Sequence, residues 1–289
     1  EIISDDSMQV YKQMDIGTAK IKKEQMQGVT HYMIDEWNPD EEFNVMIFQK
    51  RVKEIMEDIY NRGKIPILVG GTGFYIQAVL NDIAFTKEKQ GDEIRADLQN
   101  LAKEKGASYL HHELQKVDKE SAEAIHPNNI KRVIRALEYF QSTGQKFSDH
   151  NKEERQKGSP YNFLYLVLTM NRKVLYERID KRVDQMMEEG LVKEVKQLLN
   201  AGYSRNLVSM QGLGYKEIAS ALFKECTMEE AVYRLKRDTR HFAKRQMTWF
   251  RRERDVTMIN KDNFSNNHEI VNYIMKLAVE KGICSCREG

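Results

Sequence analysis

The chain has 289 residues and a formal net charge of +2, with 40% hydrophobic and 31% charged residues. This composition is typical of an ordinary globular protein, and no run of about 18 apolar residues is present to span a membrane. The three cysteines are too few for the disulfide framework of a secreted protein, and the first residues lack the pattern of a signal peptide. We therefore expect a protein of the reducing cytoplasm.

The first ninety residues have an α/β pattern. The segment IIS (2–4) predicts a short buried strand that ends in the polar turn SDDS (4–7). Because the chain opens inside a strand, we expect an earlier element upstream of it. Apolar residues at helical spacing predict a helix over 45–60, which stops at Gly63. The run IPILV (65–69) predicts a second buried strand, and the glycine loop GGTG (70–73) and an apolar helix over 74–80 follow it directly.

The remainder predicts a helical stretch and then a return to the sheet. Residues 89–158 are charged and carry helical patterns at 94–101, 109–114 and 130–140, with a polar linker at 151–159. A strand at 163–168 is expected to resume the sheet, and helices continue to about residue 254. A short strand at 256–259 and a helix at 269–281 close the chain. We predict a discontinuous α/β core (1–88 and 159–289) and a helical insertion domain (89–158).

The GGTG loop is the strongest local signal of a binding site. Glycines let the backbone approach a ligand, and the N-terminus of the following helix offers free N–H groups and partial positive charge to an anion. In a doubly wound sheet, ligands lie at this carboxyl edge of the strands. A simple N-cap role for Thr72 explains the same pattern equally well.

Two adjacent acids end the first strand, in the segment SDDSMQ (4–9). Parallel strands would place them at the same sheet edge as the GGTG loop. A carboxylate there can act as a general base, because burial tunes its pKa. Taken alone, an Asp/Ser turn that caps the next element is the favoured interpretation of this segment.

Cations recur in three later helices. Arg178 and Arg182 lie one turn apart, a spacing that suits a diphosphate, although pairing with neighbouring acids is favoured for this segment alone. Lys131, Arg132 and Arg135 face away from an apolar stripe near a helix start. Residues 234–254 hold nine Lys or Arg against two acids. Such segments suit phosphate or nucleic acid, or they are merely solvated basic surfaces.

Six segments together resemble one family, the tRNA dimethylallyltransferases, also called tRNA isopentenyltransferases, in their bacterial form. They run in order over residues 1 to about 254, nearly the whole chain. The segments are IISDDSMQVY (2–11), MDIGTAK (14–20), LVGGTG (68–73), IHPNN (125–129) with Arg132 and RALE (135–138), GLGYK (212–216) and AKRQMTWFR (243–251).

The resemblance implies a fold and a reaction. The fold is a P-loop-kinase-like parallel sheet flanked by helices, with a mainly helical insertion. The implied reaction passes a dimethylallyl group from dimethylallyl diphosphate to the exocyclic N6 amine of the adenosine 3′ of a tRNA anticodon, with Mg²⁺. A monomer that recognises the anticodon stem-loop is expected. The family's phosphate loop is absent from this chain and is expected just upstream of it, so the metal ligands are left unassigned.

The resemblance also implies roles for individual residues. Asp6 matches the general base, and Thr72 matches the threonine at the reacting centre and the leaving diphosphate. Arg182 best matches the arginine on the diphosphate, with Arg178 as the alternative, and Gly71 lies with Thr72 in the diphosphate loop. The tRNA-contacting stretches match Asp6, Ser7, Met8, Gln9, Thr72, Arg95, Lys131, Arg132, Val133, Ile134, Arg135, Arg240, His241, Phe242, Ala243, Lys244 and Arg245.

Three alternatives stay open at this point. A P-loop small-molecule kinase would share the α/β core, since a fold does not fix a function. A prenyltransferase acting on free adenine nucleotides would share the chemistry as well. An RNA-binding module without catalytic activity would share the basic segments. The kinase does not need the basic helices, and tight tRNA binding that weakens steeply with salt argues against both of the first two.

Overall fold

The computed structural model describes residues 1–85 and 91–285. The chain divides into two compact units, the first formed by Glu1–Val79 with Tyr161–Gly289 and the second by Leu80–Pro160. The sequence analysis placed the corresponding boundaries near residues 88 and 158, and position 88 lies outside the described residues. Among the described residues, no helix is long and apolar enough to cross a membrane.

Five short strands in the described part of the chain form two parallel sheets. β1 (Ile2–Ser4) lies between β2 (His31–Tyr32) and β3 (Ile67–Val69). β4 (Tyr165–Thr169) pairs with β5 (Val256–Asn260) over five residues in register. The strand expected to resume the first sheet at 163–168 instead belongs to a second sheet. β4 and β5 match each other over five residues, whereas β1 to β3 are only two or three residues long.

The helices of the described residues follow the predicted pattern closely, with additions. Asn44 caps α1, accepting the N–H groups of Met46 and Ile47. In chain order they are α1 (Val45–Asn61), α2 (Gly73–Leu80), α3 (Gly91–Lys105), α4 (Ala107–Val117), α5 (Lys119–Ala124), α6 (Ile130–Thr143), α7 (Phe147–Gln156), α8 (Arg172–Glu189), α9 (Leu191–Asn200), α10 (Tyr215–Leu222), α11 (Met228–Phe250) and α12 (Asn267–Glu280).

One core holds the first unit together. It joins Ile3 of β1 to Phe48 of α1, Leu191 of α9 and Tyr215 of α10, and each of these side chains is at most 1% exposed. Burial of a large apolar side chain contributes about 1.5–3 kcal/mol. This core fixes β1 and α2 beside one another and thereby sets the geometry of the loops that follow them.

The second unit, which contains α3 to α7, has its own apolar core, and one of its buried carboxylates joins two of its helices. Asp118 is 1% exposed and accepts hydrogen bonds from the backbone N–H and hydroxyl groups of both Ser121 and Ser148. Ser148 belongs to α7, so Asp118 ties this helix to the start of α5. The polar linker expected at 151–159 is therefore wrong over 151–156, where α7 continues.

Candidate active site

The loops that follow β1 and β3 meet at one sheet edge, as the sequence predicts. The two strands are parallel, with Ser4 opposite Val69. The backbone N–H of Asp5 donates to the Val69 carbonyl at 3.0 Å. The N–H of Ser7 donates to the hydroxyl oxygen of Thr72 at 3.3 Å, which links the two loops directly. The SDDS turn and the GGTG loop thus form a single polar site.

Asp6 is a half-buried carboxylate with one oxygen held and one available. Its Oδ1 accepts the N–H groups of Met8 at 2.8 Å and Gln9 at 3.3 Å. Oδ2 makes no hydrogen bond to any residue that the structure describes. Burial raises the pKa of Asp6, and the two N–H groups offset this only in part. A carboxylate with a raised pKa and a fixed orientation is a suitable proton acceptor.

Asp5 is the buried partner of this pair. It is 0% exposed, and neither carboxylate oxygen has a hydrogen-bond partner. Burial, reinforced by the charge of Asp6, raises the pKa of Asp5 to about 7, although the backbone N–H groups of Gly71 and Thr72 face it and oppose the shift. A Cβ at Gly70 would lie 1.5 Å from Oδ1 of Asp5, so this position needs glycine.

The helix α11 closes one side of the GGTG loop. The Gln246 amide donates to the Gly71 carbonyl at 2.8 Å. A Cβ at Gly73 would lie 2.3 Å from Cδ1 of Trp249, and the Trp249 ring meets Phe74 edge to face. At Gly73 the clash is with a large ring, whereas a Cβ at Gly71 would meet only the flexible end of Gln246, at 2.2 Å.

The structure does not join Arg182 to this site. Arg178 and Arg182 are exposed on α8, and among the described residues neither forms an ion pair or hydrogen bond. Asp180 and Asp184 follow Arg178 and Arg182, respectively, by two residues. They pair with Arg240 and Lys236 of α11. Because positions two apart lie on different helix faces, the two arginines do not face α11.

The basic part of α11 is exposed and partly paired. Arg240 is bound to Asp180. Phe242 is 41% exposed, and the Arg245 guanidinium carbon lies 5.9 Å from its ring centre. Basic and aromatic side chains in alternation suit the backbone and bases of a nucleic acid. Of the remaining predicted contacts, His241 and Lys244 are exposed and Ala243 is half-buried.

In the second unit, a single buried carboxylate holds two of the predicted tRNA-contacting arginines. Glu138 is 1% exposed. Its carboxylate oxygens form ion pairs with the guanidinium nitrogens of Arg95 in α3, at 2.8 Å, and of Arg135 in α6, at 3.3 Å. This arrangement fixes two guanidinium groups from different helices beside each other. Both arginine side chains keep part of their surface in solvent, 46% and 35% respectively.

The other residues of the 131–135 stretch separate into two groups. Lys131 and Arg132 are exposed at the start of α6. Val133 and Ile134 are 0% and 6% exposed, and they pack in the core of the second unit. Their assignment as tRNA contacts is corrected accordingly, because their side chains cannot reach a ligand while this core is packed.

With this geometry established, comparison with known proteins identifies the family. The sequence model of the family described as IPP transferase matches residues 9–253. The chain belongs to this family.

Members of the IPP transferase family resemble the chain over nearly its whole length. A tRNA dimethylallyltransferase of Lachnoclostridium phytofermentans is 58% identical over 283 residues, which cover 98% of this chain and 90% of that protein. The crystal structure of the full-length tRNA isopentenylpyrophosphate transferase from Bacillus halodurans superposes with a TM-score of 0.71 at 44% identity, covering 98% of this chain and 89% of the other.

A eukaryotic IPP transferase has a similar structure despite a more distant sequence. It is a dimethylallyltransferase acting on tRNA, with a TM-score of 0.79 and 28% identity, and the match covers 96% of this chain and 73% of that one. The resemblance drawn from six short segments is thereby confirmed. The chain therefore shares its fold with enzymes described as tRNA prenyltransferases.

Sequence reasoning missed two residues of the site in this IPP transferase. Gln246 and Trp249 lie within the recognised segment AKRQMTWFR (243–251), but nothing local shows that they touch the GGTG loop. The contact joins positions 175 residues apart in the chain. The only local signal is their position beside a basic stretch, one on each of two successive helix turns.

Proposed function

We propose that this chain is a tRNA dimethylallyltransferase. It transfers a dimethylallyl group from dimethylallyl diphosphate to the exocyclic N6 amine of the adenosine that follows the anticodon on its 3′ side. The observation that carries the proposal is the hydrogen-bonded union of the Asp6 turn with the GGTG loop, at Ser7 and Thr72. It places a proton acceptor next to a helix N-terminus that favours an anion.

Asp6 acts as the general base. The adenine amine is a poor nucleophile, and it becomes effective when its proton leaves as the new bond forms. The bond from N6 to C1 of the dimethylallyl group forms, and the bond from C1 to the diphosphate oxygen breaks. The diphosphate leaves with the electron pair, and the free Oδ2 of Asp6 takes the amine proton. The two N–H bonds to Oδ1 hold the carboxylate in place.

The leaving diphosphate is stabilised from two directions. Gly71 and Thr72 present the backbone that precedes α2, whose N-terminus carries partial positive charge. Arg182, with Arg178 as the alternative one turn away, is proposed to supply full positive charge once the donor is bound. No contact within the described residues joins either arginine to the GGTG loop, so this role is supported by the family resemblance and by the lack of ion pairs to either guanidinium group. Preorganised cations lower the energy of a transition state in which negative charge develops.

The exposed basic side chains of α11 in the first unit and of α6 in the second are each proposed to contact tRNA, and Glu138 fixes Arg95 and Arg135 in the second unit. The target adenosine is unstacked to reach the donor, as enzymes that modify bases generally require. An anticodon-loop base is a suitable target, because it is not paired. Ser7, Met8 and Gln9 border Asp6 and are proposed to contact this nucleotide.

Several further features belong to the proposal. The core is of the P-loop-kinase type, which the parallel order β2-β1-β3 supports. The protein acts as a cytoplasmic monomer. Transfer is expected to require Mg²⁺, but among residues 1–85 and 91–285 no group of three His, Cys, Asp or Glu side chains is placed to hold a metal. Mg²⁺ needs no such group, because it is usually held by one or two carboxylates together with substrate phosphates, and no step is assigned to it.

The test is a transfer assay with the full-length protein, dimethylallyl diphosphate, Mg²⁺ and unmodified tRNA. Mass spectrometry of the digested tRNA is expected to show one dimethylallyl adduct, on the adenosine beside the anticodon. Asp6→Ala should slow the chemical step by about 10²–10⁴-fold, the usual contribution of a general base. Binding of tRNA by this variant should be largely retained.

The matched control is Asp40→Ala, which removes an exposed carboxylate far along the chain from the site. Its rate should equal that of the parent. An Asp6→Ala rate within a few-fold of the parent would refute the base assignment. Nucleotide-dependent phosphorylation of a small molecule, without any adduct on tRNA, would favour the kinase alternative.

A further inference from the structure

Glu194 on α9 is a buried carboxylate that the mechanism above does not use. It is 8% exposed. Within the described residues no cation pairs with it, so neutral hydrogen-bond donors alone compensate its burial. A buried carboxylate costs several kcal/mol unless its lone pairs are satisfied. Its surroundings therefore have to supply donors.

Four donors converge on this carboxylate. Oε2 accepts the backbone N–H groups of Asp15 at 3.0 Å and Ile16 at 2.8 Å. Oε1 accepts the N–H of Gly17 at 3.1 Å and the hydroxyl of Tyr215 at 2.6 Å. Three successive backbone N–H groups form a concave nest suited to an anion. The protein fills this nest with its own side chain.

Two glycines near Glu194 are restricted, Gly17 by a close contact and Gly214 by its backbone conformation. A Cβ at Gly17 would lie 2.5 Å from the Tyr215 ring. Gly214 has φ +93°, and a Cβ there would lie 3.8 Å from the Gly17 Cα. The segments MDIGTAK (14–20) and GLGYK (212–216), about two hundred residues apart, are therefore joined through this one carboxylate.

The same loop contacts the Asp6 turn from its other side. The side-chain amide of Gln9 donates to the carbonyls of Thr18 at 3.2 Å and Ala19 at 3.4 Å. The backbone N–H of Gln9 donates to Oδ1 of Asp6 at 3.3 Å. A continuous hydrogen-bonded path thus runs from Glu194 through the loop 14–20 and Gln9 to the carboxylate of Asp6.

We propose that Glu194 is a positioning residue for the transfer step. It fixes the loop 14–20, and this loop holds Gln9 and thereby the orientation of the Asp6 turn. The inference rests on the proposed function, since it concerns the same site. It adds a residue that does not touch either substrate and acts only through the loop.

The variant Glu194→Gln is a sharp test, because both oxygens are used as acceptors. Whichever way the amide is oriented, its NH₂ group faces at least one backbone N–H, which can only donate a hydrogen bond. The shape is kept, but part of the nest loses its acceptor. The matched control is Glu188→Gln, the same change at an exposed position near the end of α8.

Single-turnover transfer at saturating donor and tRNA isolates the step that Glu194 is proposed to support. Glu194→Gln should be slower than the parent by about ten- to hundred-fold, the order of effect that a misplacement of about 1 Å causes. The affinities for donor and tRNA should stay close to those of the parent. Glu188→Gln should match the parent in transfer rate, donor affinity and tRNA affinity. The loss should also be non-additive with that of Gln9→Ala, since both changes act on one path.

Each outcome either supports or overturns the inference. A folded Glu194→Gln variant with the parental rate, or a loss that simply adds to that of Gln9→Ala, overturns the inference. If Glu194→Gln does not fold, Tyr215→Phe replaces it in the test, because this change removes one of the four donors. A loss of transfer rate that is non-additive with that of Gln9→Ala supports the inference. A parental transfer rate in Tyr215→Phe overturns it. A full-length parent that transfers no dimethylallyl group overturns the proposed function, and this inference with it.

Discussion

Asp5 keeps a carboxylate in the interior with neither oxygen hydrogen-bonded. Its ordinary pKa of 3.8 rises to about 7, chiefly through burial and then through the charge of Asp6. Two neighbouring carboxylates titrate as a coupled pair, and the more buried member resists ionisation more strongly. Burial raises the pKa of Asp6 as well, but Asp6 is the member of the pair that is only half-buried, and it keeps one oxygen free of hydrogen bonds within the described residues.

The raised pKa of Asp5 makes stability depend on pH. Since the folded state binds this proton more tightly than the unfolded state, the stabilisation is complete below pH 3.8 and is lost as the pH rises through about 7. The slope is about 1.4 kcal/mol per pH unit in that window. Asp5→Asn removes this loss, so the variant should gain stability relative to the parent between pH 5 and pH 8.

Urea unfolding midpoints at pH 5, 6, 7 and 8 measure the difference directly. Burial also raises the pKa of Asp6, so the variant keeps a pH dependence of the same sign from that residue. Asp40→Asn, at an exposed position, should follow the parent at every pH. A difference between Asp5→Asn and the parent that is constant with pH would contradict this account.

At the scale of elements, the seating of α11 against α2 decides whether the GGTG loop keeps its shape. Gly73→Ala would place a methyl group 2.3 Å from Trp249 Cδ1 and 2.4 Å from its Nε1. The indole lies edge to face against Phe74, so relief requires the indole ring or α11 to shift. Overpacking of this kind costs about 1–3 kcal/mol. We expect a matching loss in the urea midpoint and a slower transfer rate.

Gly158→Ala is the control for this prediction, since a Cβ there meets nothing within 4 Å. Its stability should differ from the parent by no more than about 0.5 kcal/mol. Combining Gly73→Ala with Trp249→Ala makes room for the methyl group, so the double variant should be more stable than the sum of the two single losses predicts. Equal stability of Gly73→Ala and Gly158→Ala would show that the contact is not tight.

Elements with a clear local pattern were predictable from the sequence, and pairings between distant segments were not. The strand before the SDDS turn, α1 and the helix after GGTG follow from periodicity and glycine signals, and the structure confirms them. β2 has two residues, too few to show a period. α7 has a polar sequence, and its helical state depends on Ser148 meeting the buried Asp118 from thirty positions away. The two-sheet arrangement likewise depends on a pairing across about ninety residues.

The same limit applies to the candidate site. Asp6 and Thr72 were identifiable because each ends a strand, and the edge of a parallel sheet brings such ends together. Glu194 and Gln246 were not, because their partners lie 177 to 179 and 175 positions away. Val133 and Ile134 were assigned too generously. The whole stretch 131–135 was expected to contact tRNA, but one face of the helix, which includes these two side chains, is buried.

At the scale of the whole molecule, basic residues are concentrated in local clusters although the net charge is small. The net charge is only +2, yet nine of the 46 basic residues fall within 234–254. The exposed start of α6 adds Lys131 and Arg132 in the second unit. A protein that binds nucleic acid through such local clusters releases counterions from the phosphates it contacts, so its affinity falls steeply as salt rises.

Removing two of these charges gives a quantitative prediction for tRNA binding. Lys131→Ala with Arg132→Ala should weaken binding and lower the slope of log affinity against log salt by about 1.4–1.8, if each residue neutralises one phosphate. The control pair, Lys103→Ala with Lys119→Ala, removes the same charge from exposed positions of the same unit. It should leave the slope unchanged.

Equal effects of the two pairs would mean that tRNA senses only the overall charge of the unit. A specific loss with Lys131 and Arg132, at an unchanged single-turnover rate under saturating tRNA, would assign the start of α6 to binding and leave the chemistry to the loops of β1 and β3.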